Sequence, residues 1–203
     1  MPAGRRRSPR RQMTVSAWIE VQLAVGGALR LARGDPSGLG FFDTSIDGFW
    51  RSFRAAVICY PFFLILLGFR VSTARWQAAG LMPIVIVETI GYVISWVAFP
   101  LLMLPLSRWL GREEQFLPFM VAYNWSQIPQ TVLLTIIGLD AWAGLLPSNM
   151  VHFAEAAATI AVLVYEWYIA RVALAVSGAQ AALVVIIDVM LGSTLGRVAH
   201  SLY

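Results

Sequence analysis

WQAAGLMPIVIVETIGYVISWVAFPLLMLPLS, residues 76–107, decides the fold, because its thirty-two positions carry a single charged residue, Glu88. A run that apolar offers water no polar face, and bilayer hydrocarbon is the solvent that suits it. A straight helix over the run, rising about 1.5 Å per residue, would reach about 48 Å, well beyond a hydrocarbon core of roughly 30 Å. One long helix over about 78–107, tilted and kinked near Pro100 and Pro105, is therefore favoured over two half-helices.

Toward the N-terminus, an apolar stretch at 49–69 predicts an earlier span. Arg51 and Arg54 at its start reach back to lipid headgroups, with Trp50 in the same interface. Thr44-Ser45-Ile46-Asp47 offers a hydroxyl cap and a carboxylate for that helix's positive end. Before it, Gly34-Asp35-Pro36-Ser37-Gly38 breaks a helix predicted from Thr14 to Arg33. That helix places Trp18, Val21, Val25, Ala28, Leu29 and Ala32 on one side and Ser16, Glu20, Gln22, Arg30 and Arg33 on the other. The pattern fits an amphipathic helix lying on a membrane surface, or one packed on the cytoplasmic face of its own bundle. Residues 1–13 read as a disordered basic tail and 14–47 as the interfacial helix and turn, leaving 48–203 as the transmembrane bundle.

Toward the C-terminus, Ser107 to Gln115 makes a short polar loop, and a span at 116–139 follows. Its centre, Asn124-Trp125-Ser126-Gln127-Ile128-Pro129-Gln130, is costly in lipid, so its polar groups are expected to face protein. Asp140 to Pro147 turns the chain into a span at 148–170, which ends in Tyr165, Trp167 and Tyr168 at the membrane interface. A last span covers 178–197. The fold expected is all-α: a polytopic bundle of five spans with an N-terminal amphipathic interfacial helix.

Composition agrees, with 59% hydrophobic and 13% charged residues, where soluble domains have about 25% charged. There is no lysine, and nine of the fifteen arginines lie at or before Arg54. With the N-terminus inside, twelve arginines fall on cytoplasmic segments and three (Arg70, Arg75, Arg197) outside, as the positive-inside rule requires. A basic tail joined to apolar blocks points to anionic lipid and not to nucleic acid. RRRSPRRQMTV superficially resembles a twin-arginine export signal. Glu20, Gln22, Arg30 and Arg33 interrupt what should then be an apolar centre, so that reading is rejected, and Met13 is a second plausible start.

Ionisable residues inside a membrane are functional candidates, because burying a charge is costly unless it is neutralised or paired. Glu88, Asn124, Gln127, Glu155 and Asp188 form the candidate intramembrane polar site. Glu166, beside the aromatic belt, reads as interfacial. Trp18, Arg30, Arg33, Trp50, Arg51 and Arg54 are candidate lipid contacts, and Gly192 and Gly196 make a GxxxG that permits close helix approach. His152 and Glu155 are spaced like a metal-ligand pair, but helical di-metal sites need such pairs from facing helices, and His200 is the one other histidine. Cys59 stands alone. No metal or cofactor is expected. The chain has no P-loop, GxSxG or HExxH, so catalysis has no motif to rest on.

Ala28-Leu29-Arg30-Leu31, Gly38-Leu39, Phe42-Asp43 and Gly48-Phe49-Trp50-Arg51-Ser52-Phe53, followed by Trp96, Phe99-Pro100 and Asn124-Trp125, resemble a group of small uncharacterised alphaproteobacterial multi-span membrane proteins. The five-span plan is distantly similar to the Yip superfamily, whose eukaryotic members organise membrane traffic. The acidic-tyrosine motif of those members is absent before the first span, so GTPase binding does not carry over. The resemblance implies a bacterial inner-membrane location and carries over no functional residue. The missing catalytic motifs, the small size and the amphipathic segment point to a non-enzymatic protein, an accessory subunit or membrane organiser whose partners are the bilayer, another membrane protein or a second copy. The alternative is a small proton-coupled transporter or channel using the intramembrane carboxylates.

Overall fold

The computed structural model describes residues 17–203, so the expected basic tail and the first residues of the helix from Thr14 lie outside the described residues. Most of the 76–107 run lies in one helix, α5 (Leu81–Trp109), with Pro100 and Pro105 inside it. Its start is fixed by Gly80, whose φ of +79° suits a residue without a Cβ. Trp76 to Ala79 therefore belong to a separate short helix, Thr73–Ala79, whose N-cap Ser72 accepts from the Arg75 N–H.

Numbered in chain order, α1 is Ala17–Ala32, α2 Ile46–Ser52, α3 Arg54–Arg70, α4 Thr73–Ala79, α6 Phe116–Ala143, α7 Ser148–Ala173 and α8 Gly178–His200. No strand occurs among the described residues. Four stretches are long and apolar enough to cross a membrane: Ile46–Arg70 (α2 with α3), α5, α7 and α8. Val57, Ile86, Ile90, Val93, Ile160 and Val189 are exposed along them. Water would penalise such a surface, whereas lipid chains match it, and these helices mark the chain as a membrane protein.

α6 is not among the four, because its polar centre lowers its hydropathy. It is the axis of the bundle, packing on α1, α2, α3, α5 and α7. Phe119, Met120, Val121, Ala122 and Trp125 are at most 2% exposed, and Asn124, Ser126, Gln130 and Thr135 are buried with them. A helix that carries amides through hydrocarbon must surround them with protein. Asn124 Nδ2 donates to Ser52 Oγ at 2.8 Å, and Ser52 Oγ donates to the Phe49 carbonyl at 2.6 Å.

α1 lies against α6 and α7. Its buried stripe is Ala24, Gly27, Ala28 and Leu31. Of the face drawn through Trp18, Val21, Val25, Ala28, Leu29 and Ala32, it keeps Ala28, with Val21 and Val25 half-buried against the core, while Trp18, Leu29 and Ala32 are exposed. Glu20, expected on the polar side, is half-buried and binds Arg51 Nε at 2.7 Å and Arg54 Nη1 at 2.9 Å. Arg51 also pairs with Asp43. Hydrogen bonds from Ser45, and then the Arg51 charge, hold the Asp43 carboxyl below its ordinary value. Tyr165 and Tyr168 of α7 donate to the carbonyls of Ala28 at 2.6 Å and Gly34 at 2.7 Å, so the expected interfacial tyrosines also fasten α1.

Candidate functional site

The residues proposed as one polar site separate into three places. Asn124, Gln127 and Asp188 do converge, lining a cavity of about 280 Å³ between α3, α5, α6 and α8. It exists because α8 touches α5 near its far end, where a Cβ on Gly91 would come within 3.6 Å of Ala199, and packs on α7 elsewhere. Phe63, Tyr92, Trp96, Phe99 and Tyr123 supply the aromatic part of the wall. The rings of Phe63 and Tyr92 meet tilted at 4.6 Å, and those of Phe99 and Tyr123 at 4.4 Å.

Inside this pocket the Tyr123 hydroxyl donates to Asp188 Oδ2 at 2.7 Å. Gln127 Nε2 is buried and makes no hydrogen bond of good geometry among the described residues. The Glu166 carboxylate lies beside it, close enough to Gln127 and Asp188 to interact with both. Sequence reading placed it at the interface because it adjoins Tyr165 and Trp167; what it missed was that α7 packs against α6 at this level. Eleven residues, three helical turns, separate Glu155 from Glu166 on nearly the same face. Glu155 nevertheless lies exposed with His152 at 3.4 Å, since the first half of α7 stands away from the bundle.

Glu88 is the third place. It is 4% exposed and sits early in α5, near the end of the bundle opposite α1. Arg70 Nη2 lies at 2.8 Å from one of its oxygens; His200 Nδ1 at 2.9 Å and the Tyr203 hydroxyl at 2.6 Å meet the other. Burial, and then the carboxylate accepting its hydrogen, push the Tyr203 phenol up to about 12, so it stays a donor across the ordinary pH range. Arg75 donates to the His200 carbonyl at 3.1 Å. Glu88 therefore ties the end of α8 to α3 and α5. Glu88→Gln is expected to keep the helices but release the last residues, read as faster trimming by a carboxypeptidase; unchanged trimming would refute the latch.

The other candidates are placed as follows. Arg51 and Arg54 are held by Glu20, Trp50 is 66% and Trp18 67% exposed, and Arg30 lies over the Phe41 ring at 4.5 Å, while Arg33 is exposed. A Cβ built on Gly192 or Gly196 meets no atom within 4 Å, so the GxxxG makes no close helix approach among the described residues, and Gly192 borders the cavity instead. Among the described residues no group of three His, Cys, Asp or Glu side chains could hold a metal ion.

The fold and this site define a class: a helical membrane protein with a polar, aromatic-walled pocket inside its bundle. The chain matches no family model, no curated protein and no solved structure.

Proposed function

We propose that this chain is a non-enzymatic protein of a bacterial inner membrane, crossing it five times from a cytoplasmic N-terminus and acting as a small proton-coupled transporter or channel through the pocket. The observation that carries this reading is the closeness of two carboxylates, Asp188 and Glu166, beside the buried Gln127 amide. Among the described residues neither carboxylate has a cationic partner. A carboxylate in a low-dielectric bundle without a countercharge must take a proton or a cation, and taking and releasing one is what coupled transport needs. The crossing count rests on α6 as a fifth span, with lipid kept from its amides by its neighbours, and the orientation rests on the arginine distribution. In proteoliposomes, wild type is expected to move protons or a solute, with Asp188→Asn at least tenfold slower. Absence of flux for protons and for a panel of cations, amino acids and sugars would overturn the reading. Topology is checked in a Cys59→Ser background, where Ser201→Cys should label from outside the cell and Glu114→Cys only after permeabilisation.

A second reading, an accessory subunit or membrane organiser distantly Yip-like in plan, is favoured by the open space beside Gly196, one turn beyond the rim glycine Gly192, which leaves room for a helix of another protein or a second copy. Purification in mild detergent with mass spectrometry of what accompanies the chain tests it. A single, monodisperse species would count against it.

A further inference from the structure

The pocket's wall says more than its polar floor. Proton binding alone would settle the charge of Asp188 and Glu166 but would leave a cavity of about 280 Å³, at the small end of ligand sites (about 300–1,000 Å³), without an occupant. A hard inorganic cation needs a shell of oxygens, about six to eight for calcium. This lining offers one carboxylate, Asp188, with neutral oxygens from residues such as Asn124 and Thr131, and sets four rings beside them: Phe63, Tyr92, Trp96 and Phe99. Aromatic rings attract cations through their π faces and bury the carbon attached to them. A carboxylate at one side of such a wall is the arrangement that an organic ammonium ion satisfies on both counts.

The charges around the site are accounted for from each side. Glu20 takes Arg51 and Arg54, Glu88 takes Arg70, and Glu113 takes Arg108. Nothing cationic reaches Asp188 from α3, α5, α6 or α7 among the described residues; what faces it is the Tyr123 hydroxyl from α6 and Glu166 from α7. Asp188 Oδ2 accepts from Tyr123, and no hydrogen bond takes up Oδ1. Gly192 is exposed on the rim contributed by α8, and a side chain added there would meet nothing within 4 Å.

We propose that this pocket binds a small organic ammonium ion, its charge against Asp188 and its carbon skeleton among Phe63, Tyr92, Trp96 and Phe99. The inference rests on the pocket reading of the preceding section and names its ligand class. The test compares 2-phenylethylammonium with its neutral isostere 2-phenylethanol, titrated onto the full chain in nanodiscs against empty nanodiscs, by calorimetry and by tryptophan fluorescence, to which Trp96 contributes. Saturable binding of the ammonium, at least tenfold tighter than the alcohol, is expected. Asp188→Asn should weaken the ammonium at least tenfold and leave the alcohol unchanged. Gly192→Phe, a change with room around it, should weaken both by narrowing the rim, and unchanged circular dichroism of both variants keeps the comparison valid. Equal binding of ammonium and alcohol, or full ammonium binding by Asp188→Asn, would overturn the ligand class while leaving a solute pocket in place. No saturable binding of either compound would overturn the ligand class and remove the support for the pocket reading.

Discussion

Trp125→Ala is expected to destabilise the bundle by about 3 kcal/mol, toward the lower end of the range for removing a buried aromatic side chain. Trp125 is 2% exposed and sits in the main core with Phe119, Met120 and Ile169. In a bilayer the water-to-oil part of that cost shrinks, because lipid is as apolar as the core. What survives is the lost packing and the cavity, since the partners of a central helix are held from several sides and relax little. Thermal unfolding in detergent, followed by circular dichroism with a dye for aggregation, should show a large drop in midpoint. Val57→Ala, at a residue 76% exposed, should move it little. Equal shifts for the two would mean that α6 is not the axis of the fold.

The second large effect is expected at Gly38. A Cβ there would stand 2.5 Å from the Gly27 carbonyl oxygen and 2.9 Å from Leu31 Cγ, and one on Gly27 would stand 2.8 Å from the Gly38 oxygen. The two glycines let the 3-10 turn Pro36–Phe41 fold onto α1 backbone to backbone. Gly38→Val is therefore overpacked against atoms that cannot swing aside, and such changes cost about 1–3 kcal/mol. The loss should be local: α1 and the turn peel from α6 and α7 while the apolar helices stay in the bilayer. Limited proteolysis should cut near residues 33–36 much faster in the variant, with the remaining fragment still membrane-bound. Gly40→Val, beside open space, is the control. Similar cleavage of both variants would contradict the close approach.

Much of this architecture was legible residue by residue. The 76–107 run predicted a single helix and α5 is one, its start moved to Leu81 by Gly80. The polar centre of α6 predicted that Asn124 and its neighbours face protein, and Asn124 is 1% exposed. The candidate site was legible only in part. Of the five residues the sequence groups, Asn124, Gln127 and Asp188 meet, whereas Glu155 lies exposed beside His152 and Glu88 belongs to the far end, with Arg70, His200 and Tyr203. Glu166 has aromatic neighbours in sequence, yet its neighbours in space include Gln127 and Asp188.

The division has a physical cause. Hydrophobic run length, helix punctuation and the cost of amides in hydrocarbon act along the chain, so the sequence alone determined a helical membrane protein, its breaks and the inward turn of α6. Which carboxylate meets which partner depends on where α7 and α8 leave the bundle and at what level α5 crosses α8, and no local pattern encodes those angles. Only the packed structure decided that Glu88 closes the bundle's far end, that Glu20 ties α1 to Arg51 and Arg54, and that Asp188 of the pocket lies near Glu166 with no countercharge among the described residues.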